Sequence, residues 1–152
     1  MKVLHIFRYF KGKKKMGTNI QVLIVVCTII CFCSISDATL VEKNGTATFY
    51  KAPYIPSACN GYQDDGNFIA AASDEIWENR GACGKCYMIK CIGATNLAPH
   101  PCKQGYILVQ IVDYCRGCRG TINLSEEAFF DIADPKAGRV KIEYFVWPEK
   151  IY

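Results

Sequence analysis

The chain has 152 residues, 51% of them hydrophobic and 21% charged, a composition that fits one globular domain and excludes a disordered chain. The formal charge of +4 is unevenly placed, because Lys2, Arg8, Lys11, Lys13, Lys14 and Lys15 sit together with no acid among them. Residues 39–152 carry 12 Lys and Arg against 13 Asp and Glu, a formal charge of −1, which removes the cationic footprint needed for nucleic acid or for an anionic membrane surface.

The basic stretch runs into an apolar segment, Val22 to Cys33, followed by small residues at Ser36 and Ala38. Basic flank, short apolar run and small residues make residues 1–38 a secretory signal peptide cut after Ala38. The apolar run is short of the roughly 20 residues of a membrane span. Met16 is an alternative start. The mature chain, 39–152, is expected to be a single secreted domain.

Gly45–Tyr50 alternates and is β-rich, so it predicts a strand. Lys51–Gly61 is a loop punctuated by Pro53, Pro56 and Gly61. Phe68–Ala72 is a short apolar run. Ser73 then reads as a helix N-cap, with Asp74 and Glu75 in the first turn, Ile76 and Trp77 turned inward, and Asn79–Gly81 ending the helix. Cys86–Cys91 predicts a second strand, and Tyr106–Asp113, the most apolar stretch of the mature chain, a central one. Thr121–Leu124 is a further short strand. Ser125 caps a helix over Glu126–Ala133 whose buried face is Ala128, Phe129 and Ile132. Arg139–Val146 closes the pattern with clean alternation. Short strands with two short helices favour a small closed β-barrel.

Seven of the ten cysteines lie beyond the leader: Cys59, Cys83, Cys86, Cys91, Cys102, Cys115 and Cys118. In the secretory pathway they should oxidise, each bridge contributing about 2–4 kcal/mol. An odd count leaves one thiol free or paired between chains. Cys83-Gly-Lys-Cys86 and Cys115-Arg-Gly-Cys118 have the spacing of a zinc site, but the signal peptide argues for pairing before zinc binding. No metal and no cofactor are expected. Two sequons mark possible glycans, Asn44-Gly-Thr46 at the flexible mature N-terminus and Asn123-Leu-Ser125.

Four segments carry a family resemblance: Gly45–Tyr50; Ile69–Ser73 with Trp77 and Gly81–Gly84; Lys90–Thr95; and Ile111–Cys115 followed by Ile122–Phe129. Together they resemble the plant natriuretic peptide group, the endoglucanase-45-like domain-containing proteins, relatives of the first domain of expansins and of family 45 endoglucanases. The match covers about residues 40–148. It implies an all-β fold, a six-stranded double-psi β-barrel with two short helices, stabilised by disulfides. It also implies an extracellular, apoplastic glycoprotein acting in water and solute homeostasis, without wall-loosening or hydrolytic activity. The implied partner is a plasma-membrane receptor kinase, engaged through a segment between about Cys59 and Cys91.

The chemistry agrees with a non-enzyme. Glycoside hydrolysis uses two carboxyls about 5–9.5 Å apart. Where expansins and the related hydrolases carry a His-Phe-Asp-Leu-Ser-type segment, this chain has Thr121-Ile-Asn-Leu-Ser125, so Asn123 replaces the acid and cannot donate its proton. Asp113 matches a second groove aspartate, and Asp64 and Asp65 sit in a loop within reach of the groove. Asp113 has two readings, a ligand contact or a strand-end carboxylate bound to backbone amides. Tyr50, Tyr54, Tyr62 and Trp77 offer sugar stacking, although Tyr50 and Trp77 also fit plain packing. Tyr50, Asp65, Asp113 and Asn123 are therefore the groove candidates, and an apoplastic wall-polysaccharide-binding protein is the alternative function. Tyr152 lies six residues past Val146, so the second, β-sandwich domain of expansins is not expected.

Local loop closure and the resemblance together favour Cys59–Cys83, Cys91–Cys102 and Cys115–Cys118, leaving Cys86 free. The expansin pattern would instead join Cys86 to a late cysteine. A monomer is expected, with a Cys86-linked dimer open to it. Peptide mass spectrometry of the secreted protein should find a start at Thr39, three bridges and one alkylatable thiol. Retained residues 1–38, or zinc on reduced CxxC pairs, would refute the leader assignment.

Overall fold

The computed structural model describes residues 40–148; the signal peptide assigned to residues 1–38 lies outside them. Six strands appear in chain order: β1 (Lys43–Tyr50), β2 (Ile69–Ala72), β3 (Cys86–Ala94), β4 (Ile107–Tyr114), β5 (Ile122–Ser125) and β6 (Val140–Val146). Helix α1 (Asp74–Trp77) follows β2 and helix α2 (Glu126–Ile132) follows β5. The strands close into a barrel in the order β1-β5-β2-β4-β3-β6. Pairs β1/β5 and β2/β4 are parallel and the other four antiparallel, the mixed six-stranded double-psi barrel that the resemblance implies.

Alternation explains the core. Ile107, Val109 and Ile111 of β4, Tyr87, Ile89 and Cys91 of β3, Ile122 and Leu124 of β5, and Val140, Ile142 and Tyr144 of β6 all point inward and are buried. β2 supplies only small residues there, Ala70 and Ala72. The sequence gives no strand signal at β2, since alanine has little β preference; burial between β4 and β5 makes it one.

At the opening of α2, the Ser125 side chain accepts from Ala128 N and donates to Asn67 O. Glu126 and Glu127 complement the helix dipole. Ala128, Phe129 and Ile132 are its buried face, and the Phe129 ring lies 4.8 Å from Phe49 of β1. α1 departs from expectation. Ser73 occupies its N-cap position but makes no side-chain cap bond, and its hydroxyl is buried without a partner. The helix stops at Trp77, and Glu78, Asn79 and Arg80 all adopt positive φ (51°, 51° and 74°). Left-handed backbone is unfavourable for non-glycine residues. The turn is held by Gly81 N donating to Glu78 O, by a 2.7 Å Lys85–Glu78 ion pair and by Arg80 donating to Cys59 O.

Asn44 is not in a flexible terminus, since it pairs with Glu143 across β1 and β6. It is exposed all the same, and stays open to a glycan.

β1 meets the start of β5 at a close approach. A Cβ built on Gly45 would lie 2.6 Å from Thr121 Oγ1 and 2.9 Å from Thr121 Cβ. Thr121 is buried and β-branched, so it cannot swing aside. Gly45→Ala should therefore lower stability by about 1–3 kcal/mol in urea unfolding. Gly93→Ala, whose Cβ would meet only Lys141 Cδ at 3.9 Å, should change it by less than about 0.5 kcal/mol. Equal effects would refute the close-approach argument.

Candidate functional site: the groove across four strands

Residues two apart on a strand share a face, and register places one outward row across the barrel. Thr48 of β1 pairs with Asn123 of β5, Asn123 with Ala71 of β2, and Ala71 with Asp113 of β4. Asn123 and Asp113 thus stand two strand spacings apart, roughly 10 Å between backbones.

Asp113 reaches this row through an irregularity. With Ile107, Val109 and Ile111 inward, strict alternation would turn residue 113 into the core. The β2/β4 register instead jumps from Ala70↔Ile111 to Ala71↔Asp113, so Val112 is an extra residue that reverses the parity. Asp113 emerges on the outer face, half-buried.

There one carboxylate oxygen, Oδ1, accepts from Ala58 N at 2.7 Å and from Tyr114 N at 2.8 Å. Cys59 N donates to Val112 O beside it. These bonds, with the Cys59–Cys83 disulfide, hold the Lys51–Gly61 loop to the barrel.

Asn123 is equally well engaged. Its Oδ1 accepts from Thr48 Oγ1 at 2.8 Å and its Nδ2 donates to Cys115 Sγ at 3.7 Å. A glycan on Asn123 would use the nitrogen that faces Cys115, so of the two sequons Asn44 is the accessible one. Cys115 is bridged to Cys118 and Cys91 to Cys102, while Cys86 is free.

Two residues beyond Thr48, the Tyr50 hydroxyl is buried without a hydrogen-bond partner, and its ring meets Tyr54 edge-on at 5.2 Å. Burial pushes the Tyr50 phenol well above its ordinary pKa, and the charge of Asp113 adds to the shift, so it stays protonated. Asp65 belongs to a different network, accepting from Asn60 and Gln63 within its own loop. Among the described residues no hydrogen bond ties it to Asp113 or Tyr50.

Several groove contacts have no signal in the sequence. Tyr54 donates to Glu127 Oε2 at 2.6 Å and accepts from Glu126 N at 3.2 Å. Asp74, read as a dipole partner, accepts from the Tyr114 hydroxyl and from Gly117 N; the Tyr114 bond, then the Gly117 bond, hold its carboxyl below the usual range. Tyr114 also stacks on Trp77, with centroids 4.7 Å apart and planes 14° apart. Trp77 is thus a half-buried packing residue as well as a rim of the groove. Below the row, Thr46, Thr121 and Ser73 open into a cleft of about 280 Å³ that Asp74, Glu75 and Arg119 also line. A larger cavity of about 600 Å³, around Leu97, Pro99 and Lys136, shares no residue with the groove.

The arrangement offers hydrogen-bonding and stacking groups, and the outward row itself holds one carboxylate, Asp113, and one amide, Asn123. Asp113→Ala should strand two backbone donors and cost about 1.5–3 kcal/mol, whereas Asp113→Asn, which keeps an acceptor oxygen, should retain most of the stability. Urea midpoints for the two variants check this, and an equal loss in both would make charge rather than acceptance the source.

The comparisons with known proteins fit this geometry. Residues 69–144 match a family profile described as Lytic transglycolase. An EG45-like domain containing protein of Citrus jambhiri is 53% identical over 131 residues, covering 85% of this chain and 98% of that protein. EG45-like domain containing protein 2 of Arabidopsis thaliana is 36% identical over 120 residues, covering 78% and 92%. Among solved structures, a mutant Clavibacter michiganensis expansin in complex with cellohexaose superposes with a TM-score of 0.57 at 26% identity, covering 74% of this chain and 53% of that one. The similarity to the Citrus protein runs through almost its whole length, and the chain belongs to the EG45-like domain containing proteins, with expansins as more distant relatives.

Proposed function

We propose that the protein is a secreted, non-hydrolytic barrel that acts outside the cell as a signalling or stress-related factor in water and solute homeostasis. The observation that carries the non-catalytic half is the groove row itself. Hydrolysis would need a proton donor opposite a second carboxylate; Asn123 is an amide, and the Asp113 carboxylate already accepts two backbone N–H groups. Such a domain leaves its exposed loops for a receptor, and the segment from Cys59 to Cys91 carries the rigid left-handed turn at Glu78–Arg80 and the exposed Tyr62. A receptor kinase at the plasma membrane is the partner this reading implies. The secretory leader of residues 1–38 supports the apoplastic location.

Binding of wall polysaccharide is the second reading. It is favoured by Tyr62, an aromatic ring 82% exposed, by the hydroxyl and amide groups of the groove, and by the cellohexaose named with the expansin structure.

Oxidised mature protein, added to plant mesophyll protoplasts, should raise their volume and their cyclic GMP, with Asp113→Asn as active as the parent. The same preparation should release no reducing ends from β-glucan. Inert protoplasts, with retention on insoluble cellulose that Tyr62→Ala abolishes, would replace the signalling reading by the second one. Reducing ends that disappear in Asp113→Asn would overturn the non-catalytic reading.

A further inference from the structure

The outer face of β4, β3 and β6, away from the groove, carries half-exposed apolar side chains around a buried Phe145. Leu108, Met88 and Phe145 stand side by side across the three strands. Tyr106 and Trp147 flank Phe145, with ring centroids 6.2 and 6.4 Å away. Leu108, Trp147 and Tyr106 are 44%, 43% and 42% exposed. Two positions before Met88, on the same face, sits Cys86, the one free cysteine among the described residues.

We propose that this face joins two copies of the chain, related by a two-fold axis beside Cys86 and linked by a Cys86–Cys86 disulfide. Three features select a second copy as the occupant. An isologous contact sets each face against itself, so charge on it must be self-compatible. Here the Lys90 ammonium lies 5.3 Å from the Tyr106 ring centroid, and the hydroxyl of that same tyrosine donates to Glu143 Oε1 at 2.9 Å. The face thus carries the cations Lys90 and Lys141 interspersed with the anion Glu143, and no block of like charge to repel its twin.

Area is the second feature. Half-exposed side chains of this size offer about 100 Å² each, and a handful falls short of the roughly 800 Å² per partner of a stable non-covalent interface. A covalent tether removes that shortfall by making the apolar contact intramolecular.

The third is position. Cys86 opens β3 and pairs with Gln110, while its carbonyl accepts from Trp147 N. It therefore sits at the border of the apolar row, where a two-fold axis brings two thiols together and lays the rows over each other.

The chemistry is thiol–disulfide exchange with a small disulfide such as oxidised glutathione. One Cys86 thiolate attacks it, forming a mixed disulfide and expelling one glutathione thiolate. The second copy's Cys86 thiolate then attacks the Cys86 sulfur and expels the other. Two protein thiols are oxidised and one small disulfide is reduced to two thiols. The dimer depends on the extracellular reading only for its oxidant, and supplying that oxidant separates the failure of one from the failure of the other.

The test is non-reducing electrophoresis and light scattering of the secreted protein, expressed from the full chain and incubated with oxidised glutathione. A species of twice the protomer mass should form, revert with dithiothreitol and be absent from Cys86→Ser. Leu108→Lys, at an exposed position off the core, should keep an alkylatable Cys86 yet lower the dimer fraction about tenfold, because it sets like charges across the axis. A parent protein that stays monomeric with glutathione on Cys86 would overturn the proposal. So would a covalent dimer surviving in Cys86→Ser, or one undiminished in Leu108→Lys.

Discussion

One oxygen of Asp113, accepting from Ala58 N and Tyr114 N, is the bond on which the groove side of the molecule depends. It lies where the loop before β2, the end of β4 and the outer row of the barrel meet. The extra residue at Val112 turns Asp113 outward, and the two amides then give the carboxylate hydrogen bonds in place of water. Loop position and the rim formed by Tyr114 follow from that placement. The same placement fixes the carboxylate through Oδ1, the oxygen that both amides share.

A second layer of polar bonds surrounds it. Asp74 ties the Tyr114–Gly117 segment to α1, Tyr54 ties the proline loop to α2, and Asn123 joins β1 to the Cys115–Cys118 loop. Each bond spans 40 residues or more of chain except Asn123–Cys115, which spans 8. The groove is consequently a pre-formed surface whose side chains already hold one another in place. Such a surface suits recognition, where pre-organisation reduces the ordering cost of binding.

Most of the barrel was legible in the chain, because alternation is a local property. Residues 45–50, 86–91, 106–113, 121–124 and 139–146 each carry enough of it to mark a strand, and Ser125 with Ala128, Phe129 and Ile132 marks α2. β2 was not, since Ile69–Ala72 becomes a strand only through its neighbours. The groove was half legible. Asp113, Asn123 and Tyr50 stand near one another on the outer row, but the outward direction of Asp113 runs against its own alternation and comes from a register shift against another strand. Asp65 illustrates the converse, an acid near the groove in sequence whose hydrogen bonds stay within its loop. The Tyr54–Glu127 and Asp74–Tyr114 bonds span 73 and 40 residues, beyond any local pattern.

Barrel closure has one more consequence. Every strand has a partner on both sides over part of its length, so no strand of the described domain offers a full-length open edge to another chain. The domain therefore lacks the long exposed edge from which β-aggregation starts. Recognition has to run through side chains on faces and loops, where single substitutions can change a partner without disturbing the ladder beneath.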